Sequence, residues 1–163
     1  MYPQAARNWA TLCGSRLRSL RLPSPRLVFV HGWGDFDTHQ GQAGRHGALL
    51  RQLDTGLAEF FSAVMAAGAA ERTVVMTTSE FGHRAASTGS GADHGTPATQ
   101  FLLGAAVSGG RFGEAPEFDR LDARGSLRHS VDLRSYYGSV LRGWLEAPPE
   151  EILGGTYEEL PLF

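Results

Sequence analysis

The chain has 163 residues, 42% apolar and 20% charged, the proportions of a single soluble globular domain large enough to bury a core. A net charge of −2 leaves no basic footprint for nucleic acid, and no apolar run reaches the ~20 residues that span a bilayer. All 15 positive side chains are arginine, and the single cysteine, Cys13, excludes an internal disulfide.

Residues 1–22 carry arginines but lack the apolar core and small-residue cleavage site of a signal peptide, so the chain as it stands is expected in the cytoplasm. Within them, 5–20 has a weak helical pattern, with Trp9, Leu12, Leu17 and Leu20 loosely on one side, ended by Pro23 and Pro25. We treat 1–25 as a poorly defined N-terminal segment and 26–163 as the domain. Arg26-Leu27-Val28-Phe29-Val30 reads as a short buried strand. The glycine-containing stretch 31–42 after it reads as a shaped loop. The clearest helix follows, with Leu49, Leu50, Leu53, Leu57, Phe60, Phe61, Val64 and Met65 at three- and four-residue steps and Gly68 as its stop.

A β-branched apolar run over 73–78 predicts the second strand, and a second glycine-rich loop covers 79–98. Residues 100–107 predict a third strand, weakened by Gly104. Residues 108–128 have no period. Asp132 suits the N-cap of a last helix whose stripe is Leu133, Tyr137, Val140, Leu141, Trp144 and Leu145, closed by Pro148 and Pro149. The tail 154–163 is expected to add one short extended piece. Strands alternating with helices imply an α/β fold with a largely parallel sheet. Ligands of such sheets bind beyond the carboxyl ends of the strands, so the two polar loops, each following a strand, are expected on one edge.

Five of the six histidines fall in or beside these loops: His31, His39, His46, His83 and His94, accompanied by Asp35, Asp37, Glu80 and Asp93. Imidazole and carboxylate are the usual ligands of zinc, manganese and iron. Asp37 and His39 are two apart, so an extended segment points both the same way. Glu80 follows its strand directly. Gly91 and Gly95 flank Asp93-His94 and permit a tight turn that aims either side chain inward. Taken alone, a D-x-H triplet is more often a turn or cap, and His31 and Asp35 suit local hydrogen bonding as well as a ligand role. His46 reads as surface or packing and His129 as surface. His83 and Arg84 are candidates for an anionic substrate, against the commoner reading of a solvated pair. Trp33, Phe36 and Phe81 suit loop packing. No G-x-S-x-G elbow or phosphate-binding P-loop is present, and Cys13 has no partnered base.

In order along the chain stand F-D-T-H-Q at 36–40, S-E-F-G at 79–82, A-D-H-G at 92–95, V-S-G-G-R-F-G at 107–113 and V-D-L-R-S-Y-Y at 131–137. Together they resemble domain-of-unknown-function family 1501 of bacteria, within the alkaline phosphatase and sulfatase superfamily, from about residue 26 onward. The resemblance implies a three-layer α/β/α fold and hydrolysis of phosphate or sulfate esters with divalent metals, zinc or manganese. It implies Asp37, His39 and His94 as ligands of one metal, with Glu80 where the superfamily usually has a metal-binding aspartate. Phe81 stands where many members have a histidine, and His83 intervenes before the arginine that usually follows the glycine.

Members of that family are commonly more than twice as long and often begin with a twin-arginine export signal to the periplasm. Against them the chain reads as the C-terminal portion of the fold, with the nucleophile and a further metal ligand expected in the part it lacks. Two functions follow. One is a metal-dependent hydrolase-like domain, with metal site Asp37, His39, Glu80, Asp93 and His94, an anionic ester contacting His83 and Arg84, and little turnover in isolation. The other is a non-catalytic remnant that works as a binding or assembly partner, including association with a chain supplying the other half.

Overall fold

The computed structural model describes residues 35–163. The helix expected over 5–20, the strand expected over 26–30, and His31 and Trp33 lie outside the described residues. The described residues divide into two compact units, one within 35–73 and 87–92, the other of 74–86 and 93–163. Its described elements are a mixture of helices and short strands.

The first unit is built on helix α1 (Gln42–Ala66), which carries the apolar stripe read from the sequence. Gly56 and Val64 are buried and Leu49, Leu53, Leu57, Phe60 and Phe61 half-buried, whereas Leu50 and Met65 are exposed. The helix begins ahead of its stripe, after Gly41 at φ 61°, with no side-chain cap of its own. The Gly41 amide instead donates to Ser90 Oγ at 3.0 Å and the Gln42 amide to the Ser90 carbonyl at 2.9 Å. A residue remote in sequence thus satisfies amide groups that a local cap would otherwise take.

The end of α1 is set locally, as expected. Gly68 takes φ 63°, its amide donates to the Met65 carbonyl, and the Ala69 amide donates to Val64, both at 3.0 Å. This is the Schellman arrangement, closed by contact between apolar residues at its two ends, here the buried Val64 and Ala69.

Four strands follow: β1 (Val74–Met76), β2 (Gly82–Thr88), β3 (Gly91–Gly95) and β4 (Leu102–Gly104). They form two separate pairs, β1 with β4 and β2 with β3. β1 and β4 run antiparallel in the register Val74↔Gly104, Val75↔Leu103, Met76↔Leu102. β2 and β3 are joined by Gly89 and Ser90 alone, and a connection that short can join only antiparallel neighbours. Gly89 takes φ 77°, the positive value a glycine at the first position of a tight hairpin turn supplies.

Two expectations are corrected. Residues 79–98 are largely a β-hairpin and not a loop, because a glycine-serine pair lets the chain reverse in two residues. The described pairings are antiparallel, where a largely parallel sheet was expected. The strand over 100–107 shrinks to β4, which returns onto β1 without an intervening helix.

In the second unit, helix α2 (Leu133–Gly143) buries Ser135, Tyr136, Gly138, Ser139 and Val140, while Leu133 of the expected stripe is exposed. As expected, Asp132 caps it: Oδ1 accepts the Arg134 amide at 2.8 Å. Tyr136, Val140 and Leu162 are the buried centre, surrounded by Met76, Leu102, Phe112, Tyr137, Trp144, Leu160 and Phe163. Pro149, which stops α2 in the sequence reading, also opens a short helix α3 (Pro149–Leu153).

The tail is fixed by one side-chain and one backbone contact and not by a strand. Ser139 Oγ donates to the Ser135 carbonyl at 2.7 Å and accepts the Leu160 amide at 2.8 Å, while the Ser108 amide donates to Leu162 at 2.9 Å. A Cβ on Gly143 would fall 2.6 Å from the Phe163 ring, so the absent side chain there makes room for the last residue.

Candidate functional site

In the first unit the segment before α1 leaves Asp37 and His39 exposed and buries Thr38, within two successive tight turns in which the Thr38 amide donates to the Phe36 carbonyl at 2.9 Å and the His39 amide to the Asp37 carbonyl at 3.2 Å. His39 Nε2 lies 2.9 Å from Asp37 Oδ1, with 46% of each side chain exposed. Thr38 is fully buried, and its hydroxyl has no hydrogen-bond partner among the described residues. The Asp37–His39 pairing read from the two-residue spacing is therefore present.

The hairpin tip fixes this segment. Gly91 packs so closely that a Cβ would fall 2.1 Å from the His39 carbonyl oxygen and 2.5 Å from that of Thr38, so only glycine fits. Asp35 pairs with Arg45 of the first helical turn. Phe36 meets His46 edge-on at 5.9 Å; Phe36 is half-buried and His46 exposed, in keeping with the loop-packing reading of the first and the surface-or-packing reading of the second. A groove of about 580 Å³ opens at the start of α1, lined by Gln42, His46, Gly89 and Ser90 among others. Neither Asp37 nor His39 lines it.

In the second unit three rings gather. Phe81 stacks on His94 with ring centroids 3.8 Å apart and planes 18° from parallel. His83 lies 5.8 Å from His94 and 6.2 Å from Phe81. Arg84 Nε donates to the His94 carbonyl at 3.1 Å. Glycines make this approach possible: a Cβ on Gly95 would lie 2.7 Å from the His83 carbonyl carbon, and one on Gly82 would lie 1.6 Å from the Pro97 carbonyl oxygen.

Glu80 is exposed between β1 and β2, and Asp93 is half-buried on β3. Glu80, His83, Asp93 and His94 do not assemble a ligand cluster among themselves. Further along, the Asp122 carboxyl is held below its ordinary range by the Ser126 amide first and the Arg124 amide next, with the Arg84 charge a smaller contribution. His129 is exposed, as expected.

Sequence reasoning passed over Ser90, Thr38 and the orienting contact of Phe81. A glycine-serine pair between extended runs is a signal for the turn that places Ser90. The Phe81–His94 stack has no such signal, because it joins residues of different segments.

The family model described as a protein of unknown function, DUF1501, matches residues 8–133. That span is most of the chain, so the chain belongs to this family, and the Asp37–His39 segment, α1 and all four strands lie within it. No curated protein and no solved structure matches. Among the described residues no helix is long and apolar enough to cross a membrane.

Proposed function

We propose that the chain is a divalent-metal-binding, hydrolase-like domain of the alkaline phosphatase and sulfatase superfamily, directed at phosphate or sulfate esters. Asp37, His39 and His94 are the proposed ligands of one metal, with Glu80 and Asp93 as further carboxylates. The observation that carries this reading is the 2.9 Å approach of Asp37 Oδ1 and His39 Nε2. Two donors each about 2.0–2.2 Å from a tetrahedral zinc ion sit roughly 3.3–3.6 Å from each other, so a small opening of this directly paired couple brings both into one coordination shell. A carboxylate oxygen with an imidazole nitrogen also suits zinc or manganese.

The resemblance carried by the A-D-H-G motif at 92–95 is what supports His94 as a partner of the pair. The three-layer α/β/α fold belongs to the same proposal, with the described strands contributing antiparallel pairs to it.

A bound divalent metal supplies polarisation of an ester oxygen and acidification of coordinated water. Asp37 contributes the negative charge that holds such an ion, and His39 a neutral nitrogen. Arg84, whose Nε is engaged by the His94 carbonyl, offers its remaining nitrogens to the anionic ester. His83, the preceding residue of β2, is the second donor proposed for the ester.

Calorimetric titration of the purified chain with zinc, together with elemental analysis, tests the reading. One zinc per chain is expected, lost in His39→Ala. An unaltered heat trace and no metal after dialysis against zinc would sink it. Little or no cleavage of p-nitrophenyl phosphate or sulfate is expected of this chain alone, so the ester part is tested by binding: a zinc-loaded chain that takes neither phosphate nor sulfate in the same calorimeter would reject it and leave a metal-binding domain.

A further inference from the structure

Within the second unit, the tightest ring contact among the described residues involves a residue that cannot bind a metal. Phe81 lies nearly parallel to His94 with centroids 3.8 Å apart, close enough for face contact over much of the imidazole. His94 is exposed, and an exposed histidine ordinarily samples several rotamers. Here its backbone is tied by Arg84 Nε at 3.1 Å and by the closeness of Gly95 to His83, and the face of Phe81 acts on the ring itself.

Phe81 is itself held. Ser79 Oγ donates to its carbonyl at 2.7 Å, and the following Gly82 sits against the Pro97 backbone with no room for a side chain. A metal-binding histidine is usually oriented by a hydrogen bond to its second nitrogen, and such supporting groups alter affinity by about 10–100-fold. A fixed aromatic face supplies orientation by a different contact.

We infer that Phe81 is a positioning residue, whose stacked ring holds the His94 imidazole in the orientation in which it ligates a divalent metal. This rests on the metal-binding reading proposed above. Phe81 supplies no donor atom, so its contribution is the narrowing of His94 rotamers before the ion arrives.

Zinc titration of the full chain as wild type, Phe81→Ala, Phe81→Tyr and His94→Ala tests it, alongside NMR of the His94 ring protons in the metal-free protein. Phe81→Ala is expected to weaken zinc affinity about tenfold, with a smaller effect than His94→Ala. It should also abolish the upfield ring-current shift of the His94 protons. Phe81→Tyr keeps the flat face and is expected to restore both. If Phe81→Ala does not fold, Phe81→Leu, which keeps bulk without a ring, makes the same comparison. Wild-type zinc affinity in the ring-less variant would overturn the inference while leaving the metal site standing. So would a Phe81→Tyr protein as weak as the ring-less one. A wild-type chain that takes no zinc overturns the metal reading and this role with it.

Discussion

Ser90 holds the start of α1 through two contacts at once, its carbonyl accepting the Gln42 amide at 2.9 Å and its hydroxyl accepting that of Gly41 at 3.0 Å. The hairpin tip and the segment bearing Asp37 and His39 are thereby fastened within one unit. Ser90→Ala removes the hydroxyl and keeps the carbonyl. The expected cost is about 1 kcal/mol, the ordinary value of a lost cap, read as a lower urea midpoint at unchanged slope. An unchanged midpoint would mean that water replaces the hydroxyl without loss.

Gly82 tests the base of the hairpin. Its missing side chain leaves space that the Pro97 carbonyl fills, with a Cβ falling 1.6 Å from that oxygen. No rotamer change relieves a backbone-to-backbone clash, so Gly82→Ala should cost about 3 kcal/mol or more. Gly89→Ala meets no atom and suffers only from its φ of 77°, so it should cost less. Thermal midpoints of the two variants check the order.

Asp132 sets the acid limb of stability. Its carboxyl is lowered from 3.8 to about 2, first by the Arg134 side chain and then by the Arg134 amide. A depressed folded-state value means that the stabilisation is complete above pH 3.8 and is lost as pH falls through about 2. The pair is partly exposed, so solvent screening limits the loss to about 1 kcal/mol or less. Asp132→Asn keeps a capping oxygen and should flatten the acid slope between those values, measured by denaturation at successive pH.

Tyr136 sets the alkaline limb. Burial, with Tyr137 second, pushes its phenol up from 10 to about 12. The unfolded chain then releases the proton first, so stability is unaffected below pH 10 and falls as pH rises from 10 toward 12. Tyr136→Phe should remove that slope. It should also cost about 1 kcal/mol at neutral pH, because the hydroxyl donates to the Phe101 carbonyl at 3.0 Å.

Much of this organisation was legible along the chain wherever a local rule governed it. The stripe from Leu49 to Met65 announced α1, Gly68 its end, and Asp132 the start of α2, because caps and helical faces involve residues within a few positions of one another. The Asp37–His39 pairing was legible from the two-residue spacing, although tight turns at Phe36–Thr38 and Asp37–His39 bring the two together and not the extended chain that was expected. The loop reading of 79–98 failed where glycines were taken for irregularity. At Gly82, Gly91 and Gly95 they permit close backbone approach.

Composition and local pattern by themselves determined the family motifs, helices α1 and α2, and the residues suited to chemistry. Only the tertiary structure decided that β4 returns antiparallel onto β1, that Ser90 caps a helix far from it in sequence, and that Phe81 lies flat on His94. Such contacts depend on how distant segments close their loops and fill space together, a property of the packed chain that no short window of residues encodes.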